Sequence, residues 1–307
     1  MPRNKIQIAW SFDFDALSGW LGTGKHPDNN MADYSQGYFS AHVGVPRLLK
    51  VLRGLGIENK VTWCLPGHSI ETFPEETRAI VETGAEIALH GYAHEASSQM
   101  TAEQERDVLL RCIQLCEGLT GKKPRGYRAP FCKLEERTIN LLQEHNFLWD
   151  SSLTHNDSSP YFLPKNMAAI QPIDFDPEVK AETWMKPSPS FAAHPKSTLV
   201  EIPINWYMDD MTPLQYFPNV PNSFGYVDVA VVERQWRDRF EWLRREIAEG
   251  DEETKVFCIV NHPDVSGMAH VIGMVERFIK WLQSFGDEVE FVTYEEIAEK
   301  FLRKQAN

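Results

Sequence analysis

A chain of 307 residues is too long for a peptide module and short for three domains. With 42% hydrophobic and 24% charged residues it can bury a full core, which excludes disorder, collagen and coiled coil. The net charge of -13, from 44 acids against 31 bases, argues against nucleic acid and against anionic membrane surfaces as partners.

The first strand is expected at residues 6–10. Nothing before it resembles an apolar leader with a cleavage site, so no signal peptide is expected. No apolar stretch approaches the ~18 residues of a membrane span. A long Gly/Asn-rich loop then leads to a helix over 45–55 and a strand over 60–64. A short helix over 74–83 precedes a strand over 85–89. The 101–119 stretch carries a helix start signal at Thr101 and apolar residues at helical spacing (Val108, Leu109, Cys112, Leu115, Cys116). Residues 126–130 read as a strand and 134–145 as a helix. Further strands are expected at 147–151, 199–205, 255–261 and 289–293, with helices over 231–248, 271–285 and 294–304. Two stretches, 153–198 and 207–225, break this rhythm and are rich in Pro, Asn, Asp and aromatics. Loops that long in a compact domain are usually functional or disordered. The alternation predicts an α/β fold with a parallel sheet covered by helices, closed into a barrel and forming a single domain over 1–307.

Five cysteines, an odd and scattered set, argue against a disulfide framework, and the chain is expected to be cytoplasmic. Cys112 and Cys116 fall one helical turn apart, where they could share a metal or simply be buried thiols.

Chemistry gathers where strands are expected to end. In Ser11-Phe12-Asp13-Phe14-Asp15, period two puts both acids on one face. They either share a cation or a proton, or are solvated acids of a turn. In His90-Gly91-Tyr92-Ala93-His94, two imidazoles four apart meet on one face if the backbone turns helical. Two His and one carboxylate make a metal site with open positions; surface histidines near a turn are the alternative. The apolar run over 255–260 ends in Asn261-His262-Pro263-Asp264, where His262 is either a catalyst or a satisfied core residue. Arg128 and Asp150 are near strand ends too, and could form a structural ion pair. All strand C-termini of a parallel barrel open on one face, where active sites are built. Asp13, Asp15, His90, His94, Arg128, Asp150 and His262 therefore point to one metal site.

The ordered series Ser-Phe-Asp-Phe-Asp, His-Gly-Tyr-Ala-His, Arg-Gly-Tyr-Arg-Ala-Pro (125–130), Trp-Asp-Ser-Ser (149–152) and Asn-His-Pro-Asp (261–264) resembles the five motifs of the polysaccharide deacetylase superfamily. The likeness spans about 6–302 and is closest to its intracellular peptidoglycan-deacetylase-like branch, itself similar to allantoinases and cyclic imide hydrolases. Trp20-Leu21-Gly22, the 66–72 segment, Asn205-Trp206-Tyr207-Met208-Asp209-Asp210 and the 221–225 segment look typical of that branch. The first motif departs from the common adjacent Asp-Asp, because Phe14 separates the acids. The resemblance implies a distorted seven-stranded (β/α) barrel with long loops at the C-terminal face of the strands. It implies Asp15, His90 and His94 as ligands of a divalent metal, most often zinc. Asp13 would be the general base and His262 the general acid, with Arg128 orienting Asp13 and Asp150 tuning His262. A homo-oligomer is also implied.

The resemblance thus implies hydrolysis of carbon–nitrogen bonds other than peptide bonds. A small intracellular amide, cyclic imide or ureide is the leading substrate, because nothing in the sequence directs export to a wall. N-acetylglucosamine-containing saccharides are the second choice. A non-catalytic metal- or carbohydrate-binding barrel would not need Asp13, Arg128 and His262. A sugar isomerase would call for more carboxylate ligands and usually a lysine. The 153–198 and 207–225 loops are expected to narrow the mouth.

Overall fold

A computed structural model of the chain describes residues 5–21, 31–165, 173–190, 193–216, 225–249 and 255–306. The central strand, β1 (Ile6–Asp13), is buried along its whole length. Its alternation divides the core. Ile6, Ile8, Trp10 and Phe12, with Phe14 just beyond, belong to the larger apolar cluster shared with the helices over 45–54, 229–248 and 272–283. Ala9 belongs to a second cluster with Cys64, Ala88 and Cys258 from the neighbouring strands. Small side chains at those four positions leave room in the curled sheet, which Trp149 and Tyr294 fill with rings 5.0 Å apart.

Around β1 lie β2 (Val61–Leu65), β3 (Glu86–Leu89), β4 (Gly126–Tyr127), β5 (Trp149–Asp150), β6 (Tyr161–Pro164), β7 (Lys196–Glu201), β8 (Val256–Asn261) and β9 (Val289–Phe291). Seven of them run parallel in the order β7-β5-β4-β3-β2-β1-β8, the expected seven-stranded barrel sheet. Of the two strands outside these seven, β9 was expected and β6 was not. β9 pairs with the first half of β1 (Ile6↔Val289) while β2 takes its second half (Asp13↔Cys64). β6 adds an antiparallel edge to β7 inside the stretch expected to be loop. The sheet curls toward closure without a full ladder between β7 and β8. The Val256 amide donates to the Ser158 carbonyl (2.7 Å), and the Asp210 amide to the Val260 carbonyl (3.2 Å), so loop backbone meets that edge of β8.

Local sequence explains most boundaries. The helix Ala102–Thr120 opens on a Thr101/Gln104 capping box and stops at Gly121 in the left-handed region, as such caps do. Gly126 has to be glycine, because an added Cβ would lie 2.0 Å from the indole of Trp149. The expected loop before residue 45 instead contains a helix over Met31–Phe39 that runs into Ser40–Gly44. Among the described residues, no helix is long and apolar enough to cross a membrane.

Candidate active site

The ladder continues past the strand ends and holds the chemistry in register. The Phe14 amide donates to the Cys64 carbonyl (3.0 Å), the His90 amide to Leu65 (3.3 Å) and the Arg128 amide to Leu89 (3.0 Å). Asp13, His90 and Arg128 thus stand side by side at the C-terminal ends of β1, β3 and β4. Asp15 follows β1, its carbonyl accepting from Ser18 Oγ (2.6 Å) and Ser69 Oγ (3.0 Å). His94 closes the turn after β3 at φ 60. The Glu95 carboxylate secures that turn by accepting from the amides of Tyr92 (2.8 Å) and Ala93 (2.6 Å). His262 follows β8.

Asp15, His90 and His94 each turn a donor atom to a common point, all within 4.8 Å of one another. His90 Nε2 is 3.6 Å from Asp15 Oδ1, and His94 Nε2 is 3.5 Å from Asp15 Oδ2. Ligands ~2.0–2.1 Å from a tetrahedral ion sit about 3.3 Å apart, so the spacing suits one metal. Both Asp15 oxygens are buried without a hydrogen-bond donor, an arrangement that a cation relieves. Burial pushes the Asp15 carboxyl up for want of that charge, despite the nearby histidines. Burial also depresses both imidazoles, His94 to about 4, so they are neutral and able to ligate. His90 donates Nδ1–H to the Arg128 carbonyl (2.8 Å), leaving the Nε2 lone pair facing Asp15. The residues present fit a divalent metal.

Asp13 is differently placed. Arg128 Nη1 donates to Asp13 Oδ1 at 2.5 Å and to Ser11 Oγ at 3.0 Å, and Nη2 donates to Tyr294 Oη at 3.1 Å. Burial would raise the Asp13 carboxyl, but Arg128, His90 and His262 outweigh it and hold it at about 2. Its free oxygen, Oδ2, lies 4.0 Å from His262 Nε2 and 3.7 Å from His90 Nε2. Burial opposes charge on His262, yet Asp209, Asp210 and Asp15 raise its pKa well above the usual histidine value. It therefore carries a proton near neutral pH.

Six of the seven residues singled out in the sequence meet at this mouth. Asp150 is the correction. Its Oδ1 accepts from Ser152 Oγ (3.0 Å), and it is the cross-strand partner of Glu201. Asp150 Oδ2 and Glu201 Oε2 are both buried without a donor, and both carboxyls are raised by burial, Asp150 to about 6. One proton shared between them satisfies both oxygens. The partner of His262 is Asp210 instead: His262 Nδ1 donates to Asp210 Oδ1 at 2.8 Å. Asp210 reaches β8 because the chain after β7 bridges to it at Asp209↔Val260. The sequence signal was an adjacent Asp-Asp pair beyond a strand, inside a stretch with no readable periodicity.

The cavity at the mouth is about 150 Å³ and is lined by Asp13, His90, His94, Phe131, Trp206 and His262, among others. Asp209, Met211 and Thr212 bring the 207–225 loop to its wall, whereas no described residue of 153–198 lines it. Residues 166–172, 191–192 and 217–224 of these loops lie outside the described residues.

A curled parallel sheet with acids, histidines and an arginine at its C-terminal mouth defines a metal-dependent hydrolase of carbon–nitrogen bonds other than peptide bonds. The polysaccharide deacetylase family model matches residues 33–148. The chain is 51% identical to the peptidoglycan deacetylase-like protein FGM2 of Gibberella zeae, covering 98% of this chain and 87% of that one. It is 41% identical to the peptidoglycan deacetylase of Helicobacter pylori, covering 98% and 97%. The chain belongs to the polysaccharide deacetylase family. Among solved structures, a polysaccharide deacetylase candidate from Mycobacterium smegmatis superposes with a TM-score of 0.79 at 28% identity, over 98% of this chain and 92% of that one. The Puue allantoinase shares the fold, with a TM-score of 0.72 at 22% identity over 96% and 90%.

Proposed function

We propose that the chain is a zinc-dependent hydrolase of small amides, cyclic imides or ureides. The observation that carries this reading is the cavity of about 150 Å³, walled by Phe131, Trp206 and Met211 above Asp13 and His262. It matches one flat ring or one short acyl group better than a run of sugars. Asp15, His90 and His94 are the proposed ligands. A divalent metal held there supplies Lewis acidity to a carbonyl oxygen and lowers the pKa of a water.

The remaining work falls to this chain's own groups. Asp13, ionised and fixed through Oδ1 by Arg128, takes the proton of the attacking water on Oδ2. As the carbon–oxygen bond forms and the carbon–nitrogen bond breaks, His262 gives the Nε2 proton to the departing nitrogen. Asp210 holds the imidazole by Nδ1, so that Nε2 is the nitrogen facing the site.

A second reading, N-deacetylation of N-acetylglucosamine saccharides, rests on the names of the two relatives identical at 51% and 41%. Trp206, 57% exposed at the cavity wall, would stack on a pyranose face as well as on an imide. Zinc-loaded protein should be given succinimide, allantoin and chito-oligosaccharides. Release of acid from the small rings without acetate from the saccharides supports the first reading. Acetate release alone reverses the order.

A further inference from the structure

The two histidines that face Asp15 are held by different means. His90 is fixed by its hydrogen bond to the Arg128 carbonyl, whereas His94 Nδ1 is buried with no hydrogen-bond partner. An imidazole without that second bond is free to rotate unless packing stops it. The ring packed on His94 is Phe131, with centroids 4.4 Å apart and planes at 69°. On its other side His94 meets the His90 ring, 4.9 Å away at 67°.

The backbone is strained where this contact is made. His94, Phe131 and Cys132 have φ of 60, 57 and 57, a region that residues with a Cβ rarely occupy. Such conformations cluster at functional sites and persist only where the surroundings over-determine them. Pro130, whose ring fixes φ, is followed directly by the left-handed Phe131. The same short loop supplies the Arg128 guanidinium to Asp13 and the Arg128 carbonyl to His90.

We propose that Phe131 is a positioning residue for His94: its ring, packed edge to face, sets the imidazole rotation that a hydrogen bond sets for His90. The inference rests on the metal reading of Asp15, His90 and His94. On this account the 128–132 loop braces three groups of the site, two through Arg128 and one through Phe131.

The test is zinc affinity by chelator competition on the full chain, for wild type, Phe131→Leu, Phe131→Tyr, His94→Ala and the Phe131→Leu/His94→Ala double variant. Loss of an outer partner of a ligand typically weakens metal binding ~10–100-fold, so Phe131→Leu should lose about tenfold or more. Phe131→Tyr, which keeps the ring, should restore wild-type affinity. In the His94→Ala background the leucine should cost nothing further, because the ring then has no ligand to position. Thermal unfolding of the metal-free variants reports stability separately. Wild-type zinc affinity in Phe131→Leu, with only KM or metal-free stability changed, would overturn the inference and leave Phe131 as a cavity wall. Wild-type protein that takes up no zinc would overturn the metal reading itself, and this inference with it.

Discussion

His262 and Asp210 are joined twice: Asp210 Oδ1 accepts from the imidazole Nδ1 at 2.8 Å, and Oδ2 from the His262 amide at 3.1 Å. Ser266 Oγ also donates to Oδ2. The carboxylate is therefore fixed to the backbone of the residue it serves. Asp210→Asn should keep the metal but lower kcat ~10²–10⁴-fold on a simple acetamide, the range for one positioned acid. An amide at this position removes a charge that keeps the imidazole protonated and can donate to Nδ1, leaving a neutral ring whose Nε2 proton is too weakly acidic to give away. Steady-state rates with elemental analysis check this, and an unchanged kcat would remove Asp210 from the account.

The two acids of the first motif should separate cleanly. Asp13→Asn should retain metal and lose ~10²–10⁴ in turnover, as expected of one general base. His262→Ala should also retain metal and suffer least on an imide, whose nitrogen departs with its charge spread over a carbonyl. Rates on an imide and on an acetamide, each with metal content measured, distinguish the two. Loss of metal from Asp13→Asn with retention in Asp15→Ala would show the two roles reversed.

The Asp150–Glu201 pair gives a pH dependence of stability. Burial raises both carboxyls, Asp150 raises Glu201 further, and the hydrogen bond with Glu201 lowers Asp150 only part of the way back, so the folded pair keeps a proton that unfolded carboxyls have lost. Stability from that proton is fully present below the ordinary carboxylate range and disappears as pH climbs through about 6, the folded value for Asp150. Asp150→Asn replaces the shared proton by an amide donor. Its urea midpoint should therefore fall less than the wild-type midpoint between pH 5 and pH 8. Equal falls in the two proteins would mean that the pair shares no proton.

Much of this was legible in the sequence, for physical reasons that also mark where reading stopped. A buried parallel strand has apolar neighbours on both faces, so β1 and β8 stood out, as did the polar residues that end them. The Thr101 capping box announced its helix. Strands β4 and β5, two residues each, gave positions for Arg128 and Asp150 but no period from which to read where those side chains point. The link of Asp150 to His262 came from the resemblance alone, and no local pattern pointed to Glu201 instead. Asp210 lay hidden because a tertiary bridge to β8, rather than any local pattern, carries it to His262. The edge strand β6 was hidden likewise, since only its antiparallel pairing with β7 makes it a strand.

The most direct test of the central claim is the metal itself. A crystal of zinc-loaded protein, with anomalous scattering at the zinc edge, should show one ion ~2.0–2.2 Å from Asp15 and from Nε2 of both His90 and His94. Asp15→Ala should show none, and should unfold at the temperature of chelated wild type. The contradicting result is an ion held elsewhere, for which Asp209, Asp210 and His262 are the other described group with suitable spacing. An ion there would displace the Nδ1–H···Asp210 hydrogen bond that holds His262 and leave the proposed acid without its support.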